Sequence, residues 1–86
     1  MNYKGLTVQS TAGHDKGLLL CVVESDGKRL YVADGKTRKV QRLKKKSVKH
    51  IELKNIAAYS GPMTNKAIKA HLRMCKDALE RQNGTT

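Results

Sequence analysis

The sequence predicts a mainly β protein, a small antiparallel barrel or curled sheet of about five short strands with one C-terminal α-helix packed on it. Three observations carry this. Short apolar or alternating runs recur through the first fifty-odd residues and are separated by glycine-bearing turns. One run, "LLLCVV", is apolar at consecutive positions, so a strand there must be covered on both faces. After the single Pro, the apolar spacing changes from two to three and four.

Taken in order, residues 5–12 ("GLTVQSTA") alternate weakly and suit a half-buried strand. "GHDKG" is a tight turn. Residues 18–24 form the doubly covered strand. "SDGK" at 25–28 is a hairpin signal, and 29–34 ("RLYVAD") is its returning strand. A second Asp-Gly pair at 34–35 turns the chain again. Residues 37–43 ("TRKVQRL") are expected as a strand with a charged face, with Arg38, Val40 and Arg42 on one side and Lys39 on the other. Residues 44–47 ("KKKS") are expected as a basic loop, and 48–53 ("VKHIEL") as the last strand.

The barrel is expected over 1–56, a connector over 57–63 and the helix over 64–83, all within one domain. Thr64 or Asn65 can cap the helix and Gly84 can stop it. Ile68, Leu72, Cys75 and Leu79 make one narrow apolar stripe, expected to dock on the outside of the barrel near "LLLCVV". Lys66, Lys69, Arg73 and Lys76 make a second stripe, about a third of a turn away. Lys66 and Lys69 lie near the positive end of the helix dipole, which costs a little stability unless a phosphate sits there.

Eighteen Lys and Arg stand against seven Asp and Glu, a formal charge of +11 on 86 residues. Like charges repel, so this imbalance gives a small fold no stability and points to a polyanionic partner. Only three aromatics, all Tyr, are present. That favours phosphate contacts over stacked bases. No run is long enough for a membrane span or signal core, so a cytoplasmic protein without a membrane partner is expected. Cys21 and Cys75 sit in apolar surroundings and are expected as buried thiols.

No enzyme, small-molecule substrate, cofactor or metal is expected. The acidic residues are few and scattered, and no phosphate-cradling loop or Ser-His-Asp grouping is present. His71 and Cys75 are spaced like a metal pair, but no further ligands follow at telling spacing.

Gly5 with Val8, then Gly13, then Lys16-Gly17 before an apolar strand resembles the KOW motif of several large-subunit ribosomal proteins and NusG-type transcription factors. "STAGHDKG", "VADGKTRKV", "KKKSVKHIEL" and "TNKAIKAHL" follow the order seen in small bacterial KOW-domain RNA-binding proteins. These are similar to archaeal and eukaryotic large-subunit proteins of the fourteen-e type. The likeness spans about Gly5 to Leu72 and departs at His14, where many relatives carry Arg, and at residues 18–20, where a further glycine is common.

The resemblance implies an SH3-like barrel that binds RNA, expected to be rRNA of the large subunit, by a ribosome-associated protein that is monomeric away from the ribosome. It places His14, Asp15 and Lys16 at the RNA, with Asp15 orienting the turn or pairing with a base. The basic blocks add Lys36, Arg38, Lys39, Arg42, Lys44, Lys45, Lys46 and Lys49, and the helix adds Lys66, Lys69 and Arg73. The alternatives are a transcription-linked KOW factor and a basic adaptor for an acidic protein.

Overall fold

The computed structural model describes residues 3–54 and 58–83. Five strands, β1 (Thr7–Ser10), β2 (Leu19–Asp26), β3 (Arg29–Ala33), β4 (Lys44–Ser47) and β5 (Ile51–Leu53), precede one helix, α1 (Asn65–Asn83). The strands form a single antiparallel sheet in the order β4-β3-β2-β1-β5. This is the small mainly β fold expected, consistent with an SH3-like barrel. The 56–57 boundary and the Gly84 stop lie outside the described residues.

β2 organises the molecule because both its faces are covered. Leu20 and Val22 join Val8, Leu30 and Val32 in the interior, closed by Tyr3, Val48 and Ile51. Cys21 and Val23 join Ala33, Ile68 and Leu72 on the other face, where α1 docks. The register shifts between Val22 and Glu24. Such a bulge bends the strand and sharpens its twist, helping the sheet to curl.

The helix arrives as its apolar stripe requires. Ile68, Leu72 and Cys75 are buried, and Leu79 is half-buried. Removing Ile68 and Leu72 from water stabilises the docked state by roughly 1.5–3 kcal/mol each, before ordering entropy. Thr64 is the cap: its Oγ1 accepts from Ala67 N at 3.2 Å and its carbonyl from Ile68 N at 2.9 Å. Asn65 does different work, accepting from Val40 N through Oδ1 at 2.8 Å and so tying the helix to the barrel.

Three local expectations are corrected. Residues 37–43 are not a strand. Asp34 Oδ1 accepts from the backbone N of Lys36 and Arg38 at 2.9 and 2.7 Å, and the N–H groups of Asp34 and Gly35 donate to Arg38 O. The chain therefore turns back, then makes a 3-10 turn at Val40–Arg42. Val40 and Leu43, three apart, both pack toward the helix, so the Arg38-Val40-Arg42 alternation has no meaning here. Gly35 (φ +78) is required in this turn, because a Cβ would meet the Asn65 carbonyl.

The expected loop at 44–47 is instead β4, paired with β3 at Leu30↔Lys46 and Tyr31↔Lys45. An edge strand tolerates lysines where a central one does not. The expected last strand loses its first half to a 3-10 turn at Val48–His50, with Ser47 Oγ accepting from Lys49 N at 3.2 Å.

Candidate functional site

The loop between β1 and β2 is built on a buried ion pair. Lys46 Nζ lies 2.8 Å from Asp15 Oδ1, with side-chain exposures of 7 % and 5 %. Lys46 also donates to Ala12 O at 2.7 Å. Ser10 Oγ is 2.8 Å from Asp15 Oδ1 and 2.9 Å from Ala12 O, so its one proton serves either acceptor. β4 and β1 are separated by two strands in the sheet. A β4 side chain that reaches the loop after β1 therefore clasps the curled sheet shut.

Burial pushes the Asp15 carboxyl up. Hydrogen bonds from Lys46 and Ser10 and the charges of Lys46 and Lys44 outweigh it, leaving the group below its ordinary value. Its Oδ2 has no hydrogen-bond partner among the described residues. Asp15 thus orients the turn, one of the two roles expected of it, while Lys46, expected at the RNA, is buried against it. Asp15 and Lys46 neutralise each other, and neither is presented to a ligand.

His14 and Lys16 are exposed at the loop tip. Gly17 (φ +92) ends the loop in a conformation that a Cβ would strain, and its N donates to Ser10 O at 2.8 Å.

From Gly17 onward the loop borders a groove of about 730 Å³ between the barrel and α1. Three segments bring six cations to it: Lys36 after β3, Lys54 after β5, and Lys66, Lys69, Arg73 and Lys76 on the helix. Asp34 and Glu80 are the acidic residues of its lining. Asp34 Oδ1 already serves two backbone N–H groups. Lys54 has a 3.4 Å ion pair with Glu52. Among the described residues no ion pair engages the four helix cations.

The remaining candidates belong to the other edge of the sheet. Lys45 on β4 is exposed and Lys44 is half-buried. Lys39, Arg42 and Lys49 are exposed on the turns flanking that strand, and Arg38 is half-buried with its backbone engaged by Asp34. The structure thus divides the predicted residues between a helix groove and a β4 face, with the β1–β2 loop touching both. Sequence reasoning missed Lys54, Gln9 and Leu18 as groove residues, and it left Lys76 as a member of a stripe only. No local signal marks Lys54 or Gln9, because only the docking of α1 makes them its neighbours.

A second polar cluster lies beside the helix. His71 Nε2 is 3.4 Å from Cys75 Sγ and 3.3 Å from Thr7 Oγ1, and its ring lies tilted by 33° against Tyr59 at 4.6 Å between centroids. Burial holds the His71 pKa below its ordinary value. Burial, with the nearby Cys75, pushes the Cys21 thiol up to about 11. Both cysteines are free and buried, as expected. Among the described residues no group of three or more His, Cys, Asp or Glu is placed to hold a metal ion. No helix of the described residues is long and apolar enough to cross a membrane.

No protein-family model matches the chain, and no curated protein matches it.

Proposed function

We propose that this protein binds structured RNA through phosphate contacts, and that the RNA is rRNA of the large ribosomal subunit. One observation carries the RNA reading. The fold draws Lys36, Lys54, Lys66, Lys69, Arg73 and Lys76 into one groove beside the β1–β2 loop, with little acidic compensation. Cations held close together repel each other, and a phosphodiester backbone relieves that repulsion while releasing its own counterions. The helix presents its basic face only because its apolar face is docked, so fold and site depend on one packing event. The choice of rRNA rests on the four sequence blocks that resemble ribosome-associated KOW proteins. Contacts of this kind position a protein on folded RNA more than they read its sequence.

Sedimentation of a cell lysate through a sucrose cushion at low and high salt tests the reading. Nuclease-sensitive pelleting with the large subunit is expected. A protein that stays in the supernatant at low salt overturns the ribosomal assignment. Failure to bind purified rRNA overturns RNA binding itself.

A further inference from the structure

The groove has a second property that phosphate binding does not use. Part of its lining is aliphatic: Leu18, 38 % exposed, and the half-buried Leu19 and Leu79 lie among the lining residues. Leu18 is one of only three large hydrophobic side chains exposed among the described residues. Gln9 stands in the same lining with its amide nitrogen fixed on Gly17 O at 2.9 Å, which leaves the amide oxygen as an acceptor.

A continuous RNA duplex turns phosphates, riboses and groove edges outward and keeps its base faces stacked inside. Against this groove it would satisfy the cations and leave the leucines wet. An unpaired nucleotide offers both chemistries at once, a flat apolar base and a phosphate on either side. The volume, about 730 Å³, is within the range of sites that enclose a small ligand.

We propose that the groove takes one unpaired nucleotide of the bound RNA, its base on Leu18 and its neighbouring leucines and its flanking phosphates on Lys69, Arg73 and Lys54. The preferred RNA therefore carries a bulge or a single-stranded end at the contact. This rests on the RNA-binding reading and adds a selectivity to it. The scarcity of aromatics argues for phosphate contacts alone, but docking of the helix brings Leu79 to a groove that Leu18 and Leu19 also line, which composition does not reveal. Aliphatic contact is weaker than aromatic stacking, so the selectivity is modest.

The test is fluorescence anisotropy with three labelled hairpins: a perfect stem, the same stem with a single-nucleotide bulge, and the bulged stem with that nucleotide abasic. The bulged hairpin should bind tighter than the perfect stem by about fivefold or less, at or below the bottom of the range for base–aromatic stacking. The abasic hairpin should fall back to the perfect stem. Leu18→Ser should erase the preference while leaving the salt dependence unchanged. Leu18 is 38 % exposed, so Leu18→Ser should lower the melting temperature only modestly, and the abasic hairpin tests the same contact without altering the protein.

Equal binding of bulged and perfect stems overturns the proposal and leaves RNA binding standing. So does a preference that survives Leu18→Ser. Displacement of the bulged hairpin by polyglutamate as readily as by unlabelled RNA makes the groove a general polyanion surface and overturns it. Absence of binding to all three hairpins overturns both readings together.

Discussion

Two lysine-rich segments meet opposite fates in this protein. Residues 44–47 and the helix stripe of Lys66, Lys69, Arg73 and Lys76 look alike as charge, and both read as contacts for a polyanion. On β4, alternate side chains go to opposite faces, so Lys45 stays outside opposite Tyr31 while Lys46 turns inward opposite Leu30. Buried there, Lys46 becomes part of the clasp with Asp15. On α1, cations spaced by three and four share one face, and docking of the apolar stripe leaves all four lining the groove. Charge density alone does not tell a lysine left lining the groove from one buried in the fold. The period of the backbone that carries it does.

The contrast fails first if the helix comes away from the barrel. Leu72→Asp places a carboxylate at a position only 7 % exposed, against Cys21 and Val23. It should cost about 4 kcal/mol or more in urea unfolding and remove the groove with the fold's stability. Near wild-type stability would show that the helix face does not depend on docking.

Next in size is the clasp. Lys46→Ala should cost about 3 kcal/mol, because it strands a buried carboxylate, whereas Lys45→Ala should change stability by less than about 0.5 kcal/mol. Equal costs would erase the distinction between inward and outward lysines. For the same reason, replacing residues 44–46 together confounds binding with folding. Lys44 and Lys45 are the informative pair.

Binding separates the two segments from the other side. Changing Lys66, Lys69 and Arg73 to Ala should lower the salt slope of RNA binding by about one for each phosphate these side chains neutralise. The Lys44, Lys45 pair should lower it less, since Lys44 is half-buried. An unchanged slope in the helix variant would move the interface to β4.

The smallest effect is the pH response. The Asp15 pKa is lowered on folding, so the pair's contribution is fully present above about 3.8, the ordinary value, and is lost as pH falls through the folded value. Melting temperature between about pH 5 and 2 should fall less steeply in Asp15→Asn than in the wild type. His71 adds to the acid loss over a higher range. Its pKa is lowered too, so below about 6.5 the unfolded chain takes up a proton that the folded chain refuses.

Much of the fold was legible. The consecutive apolar residues of "LLLCVV" announced a strand covered twice, and both its neighbours, interior and helix, are present. The helix, its stripe and its docking face followed from spacing alone. The fourth strand did not. Lysine is a poor strand former, and only pairing with β3 makes 44–47 extended, while "TRKVQRL" imitates alternation although Asp34 has already turned its backbone. Of the site, the helix cations and Lys36 could be named from sequence, and Lys54, Gln9 and Leu18 could not.

The inventory is written along the chain: a small β core, one amphipathic helix and a large excess of positive charge. Those follow from local period and composition, which each residue carries with it. Which charges neutralise one another, and which stand together, is settled by packing. Whether Lys46 meets Asp15, 31 positions away, or Lys54 meets the face of α1, depends on how the sheet curls and where the helix lands. Electrostatic energy depends on distance through space, and separation along the chain does not record it.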